Sequence, residues 1–355
     1  MKKILFHTQD NFDAIRSRAP MSEWFYENKN LQCDILCPEG QDVKLSNGKI
    51  IYYKKRGLSF ENYSQLKKLI NTENYDLVIS RAIEQVILIS FIRTRRTKVV
   101  FFLAGFGKLF DQGPIKLFLT KSIYKFFFQI LVYLKSAGVL LQNIEDINYL
   151  GIKNTHLMNG SGIDIKPVEK NKKLNKIKIV TATRLMKTKG LSSIFKLCEL
   201  LLEKPNIEYY ILGDFKHLTK NEINIINKFN LSPNIYFEGF QFPITQYLNK
   251  SNFAYFPSEY PEGSPRFLIE SIMHGLILFT NPMPGCSALI SNKNGFLITS
   301  EEETLRKIIQ ISEDETNYNN LSKNSMELFL REYESNIVYE KLYCYLQQQF
   351  INHNH

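Results

Sequence analysis

The sequence predicts two successive doubly wound α/β domains, and three of its features carry that prediction. Its 355 residues exceed one small module and suit two domains of ordinary size. Short β-rich runs alternate with longer helical stretches, the pattern of parallel strands joined by helices that cover both faces of a sheet. One segment interrupts the alternation: Lys166-Pro167-Val168-Glu169-Lys170-Asn171-Lys172-Lys173 is polar, basic and aperiodic, as an interdomain linker would be. The predicted division is therefore 1–165 and 166–332, followed by a terminal segment, 333–355.

Taken in order, strands are expected in the first domain at 3–8, 33–38, 49–54, 76–80, 98–104, 137–143 and 155–160. The second series falls at 176–183, 208–213, 235–239, 253–257, 276–281 and 296–298, with helical patterns between, such as Ser192 to Glu203. In the terminal segment Ile337, Val338, Leu342, Leu346 and Phe350 recur at helical spacing, giving an amphipathic helix that returns to the first domain. Ligands of such sheets bind outside the carboxyl ends of the strands, so functional residues are expected just after strands.

Apolar residues make up 44% and charged residues 23%, material for two sizeable cores and incompatible with global disorder. Lys and Arg number 45 against 35 acidic residues, and the net charge of +10 favours anionic partners: nucleotides, nucleic acid or an acidic membrane surface. No nucleic-acid fold signature accompanies the basic residues, so no nucleic-acid partner is expected. Five scattered cysteines, Cys33, Cys37, Cys198, Cys286 and Cys344, argue against a disulfide scaffold. No His or Cys cluster has metal-ligand spacing and no Asp-x-Asp stands in a suitable loop, so neither metal nor cofactor is expected. The basic start Met1-Lys2-Lys3 lacks the apolar stretch of a signal peptide, and Lys116, Lys121, Lys125 and Lys135 interrupt the most apolar tract, so no membrane-spanning segment is expected. The expected location is cytoplasmic, with peripheral attachment to the membrane open. The tract Pro114 to Leu134 mixes those lysines with Phe118, Tyr124, Phe126, Phe127, Phe128 and Tyr133. It reads equally as a membrane-surface helix or as a core helix with snorkelling lysines.

Two constellations carry chemistry. Directly after the strand 176–183 comes Arg184-Leu185-Met186-Lys187-Thr188-Lys189-Gly190. Arg184 offers a planar fork of donors, Lys189 a mobile point charge, and Gly190 a close backbone approach, which together suit a diphosphate; a solvated basic turn is the plain alternative. The second is Pro257-Ser258-Glu259-Tyr260-Pro261-Glu262-Gly263-Ser264-Pro265-Arg266-Phe267-Leu268-Ile269-Glu270. Ser264 is expected to cap a helix whose first residue is Pro265, leaving amides near 264–267 for a phosphate or sugar oxygen. Glu262 in the loop and Glu270 on the helix can bracket one ligand, or stand as ordinary solvated glutamates. His274 reads as structural. Gly105-x-Gly107 follows a strand, but Phe110 stands where a dinucleotide fingerprint needs its third glycine.

The ordered set Arg184-x4-Lys189-Gly190, Glu262-x7-Glu270, Gly275, Pro284-Gly285-Cys286 and Asn294-Gly295-Phe296-Leu297 resembles the family 4 glycosyltransferases. So do Leu103 to Phe110, with Gly105 and Gly107, and Asn159-Gly160-Ser161-Gly162-Ile163-Asp164. The likeness spans about 98–300 and is strongest over 176–298. It is similar in particular to bacterial transferases of O-antigen, capsule and lipid-linked oligosaccharide assembly. The resemblance implies retaining enzymes of GT-B architecture, with two Rossmann-like domains facing a cleft, the first for the acceptor and the second for the nucleotide sugar. It implies that Arg184 and Lys189 hold the donor diphosphate, Glu262 the hydroxyls of the transferred sugar, and Glu270 the ribose. Amides of Gly263, Ser264, Arg266 and Phe267 would complete the donor contacts, with Gly105 and Gly107 in the first domain. The base would lie near Phe237-Glu238-Gly239-Phe240.

The sequence departs from that family after its first strand, where Thr8-Gln9-Asp10-Asn11-Phe12-Asp13 replaces a glycine-rich loop, and the stretch Phe101 to Gly107 lacks a histidine. The expected activity is transfer of a sugar from a nucleotide diphosphate, with UDP the expected nucleotide, to a hydroxyl of a lipid-linked glycan in surface polysaccharide synthesis. The alternative is a nucleotide-sugar or nucleic-acid binding α/β protein without turnover.

Overall fold

A computed structural model describes residues 1–351 except 43, 55–56, 95, 106–113, 165–175 and 292, and only the backbone of 114–121. Gly107, the 166–173 linker and the 352–355 tail thus lie outside the described residues. The chain divides into two compact units, Met1–Asp164 with Glu334–His355, and Ile165–Tyr333.

The first unit holds β1 (Lys3–His7), β2 (Gln32–Pro38), β3 (Ile50–Tyr53), β4 (Leu77–Arg81), β5 (Lys98–Leu103), β6 (Gly138–Leu141) and β7 (Thr155–Leu157). All pair in parallel in the order β3-β2-β1-β4-β5-β6-β7. Side chains alternate between faces, so a continuous apolar run feeds two cores. Ile4, Phe6, Ile35, Ile79 and Phe102 fill one side; Leu5, Leu36, Val78 and Phe101 fill the other. The first core is completed by the helix Ser335–Ile351, whose Val338, Tyr339, Leu342, Tyr345 and Leu346 pack against Ile4, Phe6 and Phe25. Trp24 Nε1 donates to Asn336 Oδ1 (2.8 Å), and Tyr345 Oη accepts from the Val139 amide (2.9 Å).

The second unit holds β8 (Ile177–Ala182), β9 (Ile207–Leu212), β10 (Ile235–Gly239), β11 (Phe253–Phe256), β12 (Ile277–Thr280) and β13 (Gly295–Leu297), all parallel, in the order β10-β9-β8-β11-β12-β13. Its helix Leu191–Leu201 buries Ile194, Leu197, Cys198 and Leu201, one stripe at helical spacing. Each sheet reverses its direction of growth once, between β1 and β4 and between β8 and β11, and crevices for ligands open at such points.

The helix Pro114–Lys135 presents a buried and an exposed apolar face. Phe128, Leu131 and Val132 enter the core, whereas Ile123, Phe126, Phe127, Ile130, Tyr133 and Leu134 form an exposed apolar stripe. Among the described residues no helix is long and apolar enough to cross a membrane.

Candidate functional site

The candidate site is assembled in the second unit from the loops that follow β8 and β11, the two strands flanking its reversal point. β8 ends at Ala182, and the Thr183 amide donates to the Leu212 carbonyl (3.0 Å), holding the chain against β9 for one more residue. Leu185 then plunges into the core, which leaves Arg184 on the surface; among the described residues it pairs with no carboxylate. A 3-10 turn over Lys187–Lys189 ends at Gly190, with φ 77° and the helix Leu191–Leu201 starting after it. A side chain at Gly190 would put its Cβ 2.0 Å from the Pro257 carbonyl oxygen, so only glycine lets this loop rest on the start of the β11 loop. The Glu259 amide donates to the Thr188 carbonyl (3.1 Å) and fastens the two loops together.

That contact turns Lys189 inward, where it is 6% exposed. Its ammonium pairs with Glu262 Oε1 and lies over the Tyr260 ring, 4.1 Å from the centroid. Ser258 Oγ also donates to Glu262 Oε1 (3.2 Å), and the Glu262 amide donates to the Pro284 carbonyl (3.1 Å), which fixes the loop's far end. The lysine is buried and the glutamate partly so; desolvation offsets much of their attraction, but removing either partner would leave the other charge without its counter-ion, which is strongly unfavourable. Nearby, burial and then the Glu262 charge push the Cys286 thiol up to about 12, so it stays protonated and unreactive.

The helix that follows differs slightly from its sequence pattern. Pro265, with φ −68° and ψ 114°, occupies the cap position, and the helix proper is Arg266–Met273. Ser264 is therefore one residue too early to cap it, because the Pro265 carbonyl already receives the Leu268 and Ile269 amides. Among the described residues the amides of Arg266 and Phe267 have no acceptor, as expected of a first turn. Phe267's ring is buried against Phe256 (5.7 Å), so only its backbone is available. Glu270 is 8% exposed and accepts from Arg266 Nε (2.7 Å), one turn back.

The structure thus joins Lys189 with Glu262 and, separately, Glu270 with Arg266; the two carboxylates take different cations. Gly263 is buried and Ser264 half-buried between the two pairs along the chain. Gly105, with φ 130°, follows β5 in the first unit. Phe237 proves to be a core residue packed on Phe195 and Phe229, leaving Phe240, 65% exposed, as the open aromatic group after β10. Buried His274 follows the last turn of the helix, with its amide on the Glu270 and Ser271 carbonyls. Sequence reasoning missed Ser258 and Tyr260, although both stand in the same loop as Glu262; a small hydroxyl and an aromatic ring in a turn carry no periodic signal. Chemically the site offers an exposed surface cation, a buried cation with its carboxylate, and free amides at one helix start, a set suited to a ligand with anionic and hydroxyl groups.

Residues 163–328, nearly all of the second unit, match the family described as glycosyl transferases group 1. Among curated proteins no sequence relative is found. Sucrose-phosphate synthase from Thermosynechococcus elongatus is similar in structure, with a TM-score of 0.80 at 13% identity over 99% of this chain and 100% of its own. The Anabaena protein HepE, solved with UDP and glucose, reaches 0.76 at 15% identity over 98% and 100%. A TarM variant from S. aureus, solved with fondaparinux, alpha-GlcNAc-glycerol and UDP, reaches 0.70 at 12% identity over 99% and 100%. The fold is the GT-B class of two parallel-sheet α/β domains.

Proposed function

We propose that the chain is a retaining glycosyltransferase that takes a sugar from a UDP-linked donor. The observation that carries this reading is the pair of buried Lys189 with part-buried Glu262 at the carboxyl end of β8, beside surface Arg184 and the free amides of the 266–273 helix. A diphosphate entering there gives Lys189 a stronger counter-charge and frees Glu262 to accept sugar hydroxyls. Cleaving the anomeric bond leaves charge on the departing diphosphate, and cations already fixed around it stabilise the transition state more than the ground state. The leaving phosphate then helps deprotonate the acceptor on the same face. Glu270 takes the ribose hydroxyls, with Arg266 keeping its carboxylate oriented. UDP in the HepE and TarM structures supports that choice of nucleotide.

The acceptor is a hydroxyl of a lipid-linked glycan, bound by the first domain. Supporting a membrane-side location, the exposed stripe from Ile123 to Leu134 lies in a helix whose last residue, Lys135, donates to the Ile92 carbonyl. That contact brings exposed Phe91 and the basic Arg93 and Arg96 into the same neighbourhood. Apolar groups rimmed by cations suit an anionic bilayer surface. The test is release of UDP from UDP-sugars with and without glycan acceptor, the product anomer being read by NMR. Binding of UDP without any release of it from a panel of donors refutes catalysis, and an inverted anomer refutes retention.

A further inference from the structure

The carboxyl ends of β1 and β4 meet at the reversal point of the first sheet, and a charged network fills that place although nothing in the second unit's chemistry requires it. Thr8, just past β1, donates through Oγ1 to Asp13 Oδ2 (3.0 Å). Arg18, 2% exposed, donates through Nε to the same oxygen (3.2 Å) and through Nη2 to Ser161 Oγ (3.1 Å). Arg81, the last residue of β4, places Nη1 2.9 Å from Asp13 Oδ1. Two guanidinium groups therefore share one carboxylate, and among the described residues no second carboxylate pairs with either. Burial alone would raise the Asp13 carboxyl, but the two arginines outweigh it and hold it below its ordinary range. Burial, with Arg81 nearby, pulls the Arg18 guanidinium down.

The two arginines are not equivalent. Arg18 spends its donors on Asp13 and Ser161 inside the protein. Arg81 is one-fifth exposed and its Nε, though buried, has no acceptor among the described residues. An arginine nitrogen left unbonded away from water costs free energy that a structural ion pair would not retain. Gln85, fully buried on the following helix, Ile83–Ser90, likewise has Oε1 without a donor among the described residues. Its Nε2 reaches Tyr53 Oη (3.4 Å), which donates to the Thr8 carbonyl (2.7 Å), so Gln85 belongs to the same network. Between Arg81 and that helix stands Ala82 with φ 74° and ψ 158°, a strained backbone for a residue with a side chain and of the kind that clusters where ligands are held.

We infer that Arg81 is the recognition group of an oxyanion subsite in the first unit, taking a phosphate or carboxylate with the guanidinium nitrogens that Asp13 does not engage, while Asp13, itself held by Arg18, fixes the guanidinium through Nη1, with Gln85 Oε1 receiving a neighbouring hydroxyl. The subsite stands on the first unit alone; assigning its oxyanion to the sugar acceptor rests on the transferase reading. The experiment is calorimetric titration of the full-length protein with inorganic phosphate, a hexose phosphate and glucuronate, against Arg81→Gln, Arg81→Lys and, as a control in the other unit, Lys189→Ala. Saturable binding of a phosphate or of glucuronate that falls at least about tenfold in Arg81→Gln, the loss of a charge-assisted pair, less in Arg81→Lys, and not in Lys189→Ala supports the subsite, and the tighter probe names its chemistry. Absence of saturable binding, or affinity unchanged in Arg81→Gln, overturns it, as does loss confined to Lys189→Ala. Thermal melts of each variant separate lost binding from lost folding, since Asp13 keeps Arg18 when Arg81 is replaced. A protein that binds the oxyanion through Arg81 but never releases UDP leaves the subsite standing and removes the transferase reading.

Discussion

Gly190→Ala tests whether the approach of two loops, rather than the mere presence of Lys189, makes the site. At φ 77° an alanine pays for a left-handed backbone, about 1–2 kcal/mol. Its Cβ would also stand 2.0 Å from the Pro257 oxygen and 2.7 Å from the carbonyl carbon, both backbone atoms of a strand end that cannot rotate away. Relieving that overlap displaces one loop by more than an ångström, a strain worth about 1–3 kcal/mol more. For a domain of this size the sum lowers the melting temperature by roughly 5–15 °C. The displaced element carries Lys189, and a misplacement of that order at a reacting centre lowers kcat by about a hundredfold. The comparison variant is Gly239→Ala, at φ 68° with nothing within 4 Å of the added Cβ, which bears the conformational cost alone. Circular dichroism melts and UDP release are measured on both variants. Gly190→Ala melting no lower than Gly239→Ala, with wild-type turnover, would refute the reasoning.

Three further expectations follow from the same geometry. Lys189→Ala and Arg184→Ala each lower kcat on the order of a hundredfold through lost charge stabilisation, and unaltered turnover in either removes that residue from the mechanism. His7 is fully buried and desolvation pushes its imidazole down to about 3 from an ordinary 6.5. The unfolded chain therefore takes the proton first: the stabilisation is complete above about pH 6.5 and is lost progressively as pH falls toward 3, on the order of 2 kcal/mol between pH 7 and 5. Urea melts at those two pH values should show His7→Gln losing less than the wild type, and equal losses would contradict the assignment. Phe126→Ser combined with Tyr133→Ser should reduce flotation with anionic vesicles severalfold at unchanged melting temperature, because both side chains are exposed; flotation that persists places membrane attachment elsewhere.

The strands were legible because each is a short apolar run bounded by turn residues, and all thirteen lie within three residues of their expected ends. A parallel sheet buried on both faces hardly conceals its strands, as Leu77-Val78-Ile79 illustrates. The loops were legible as sites because they follow strands, yet their internal geometry was not. Nothing local in Arg184 to Gly190 says that Leu185 points down and Lys189 inward. The Ser264 cap was misplaced by one residue since the pattern Ser-Pro fits either register, and the backbone of Pro265 decides it. The Asp13, Arg18 and Arg81 network left no trace in sequence because Asp13 and Arg18 stand in the helical segment after β1 while Arg81 ends β4, and only the pairing of β1 with β4 brings them together.

The helix Ser335–Ile351 closes the core that β1 and β2 begin, so the first unit is discontinuous along the chain and the second is inserted within it. During synthesis the inserted unit can reach its native contacts while the earlier one still exposes the surface around Ile4, Phe6 and Phe25. A chain ending before Ser335 would thus display a complete second unit tethered to an incomplete partner that invites chaperones.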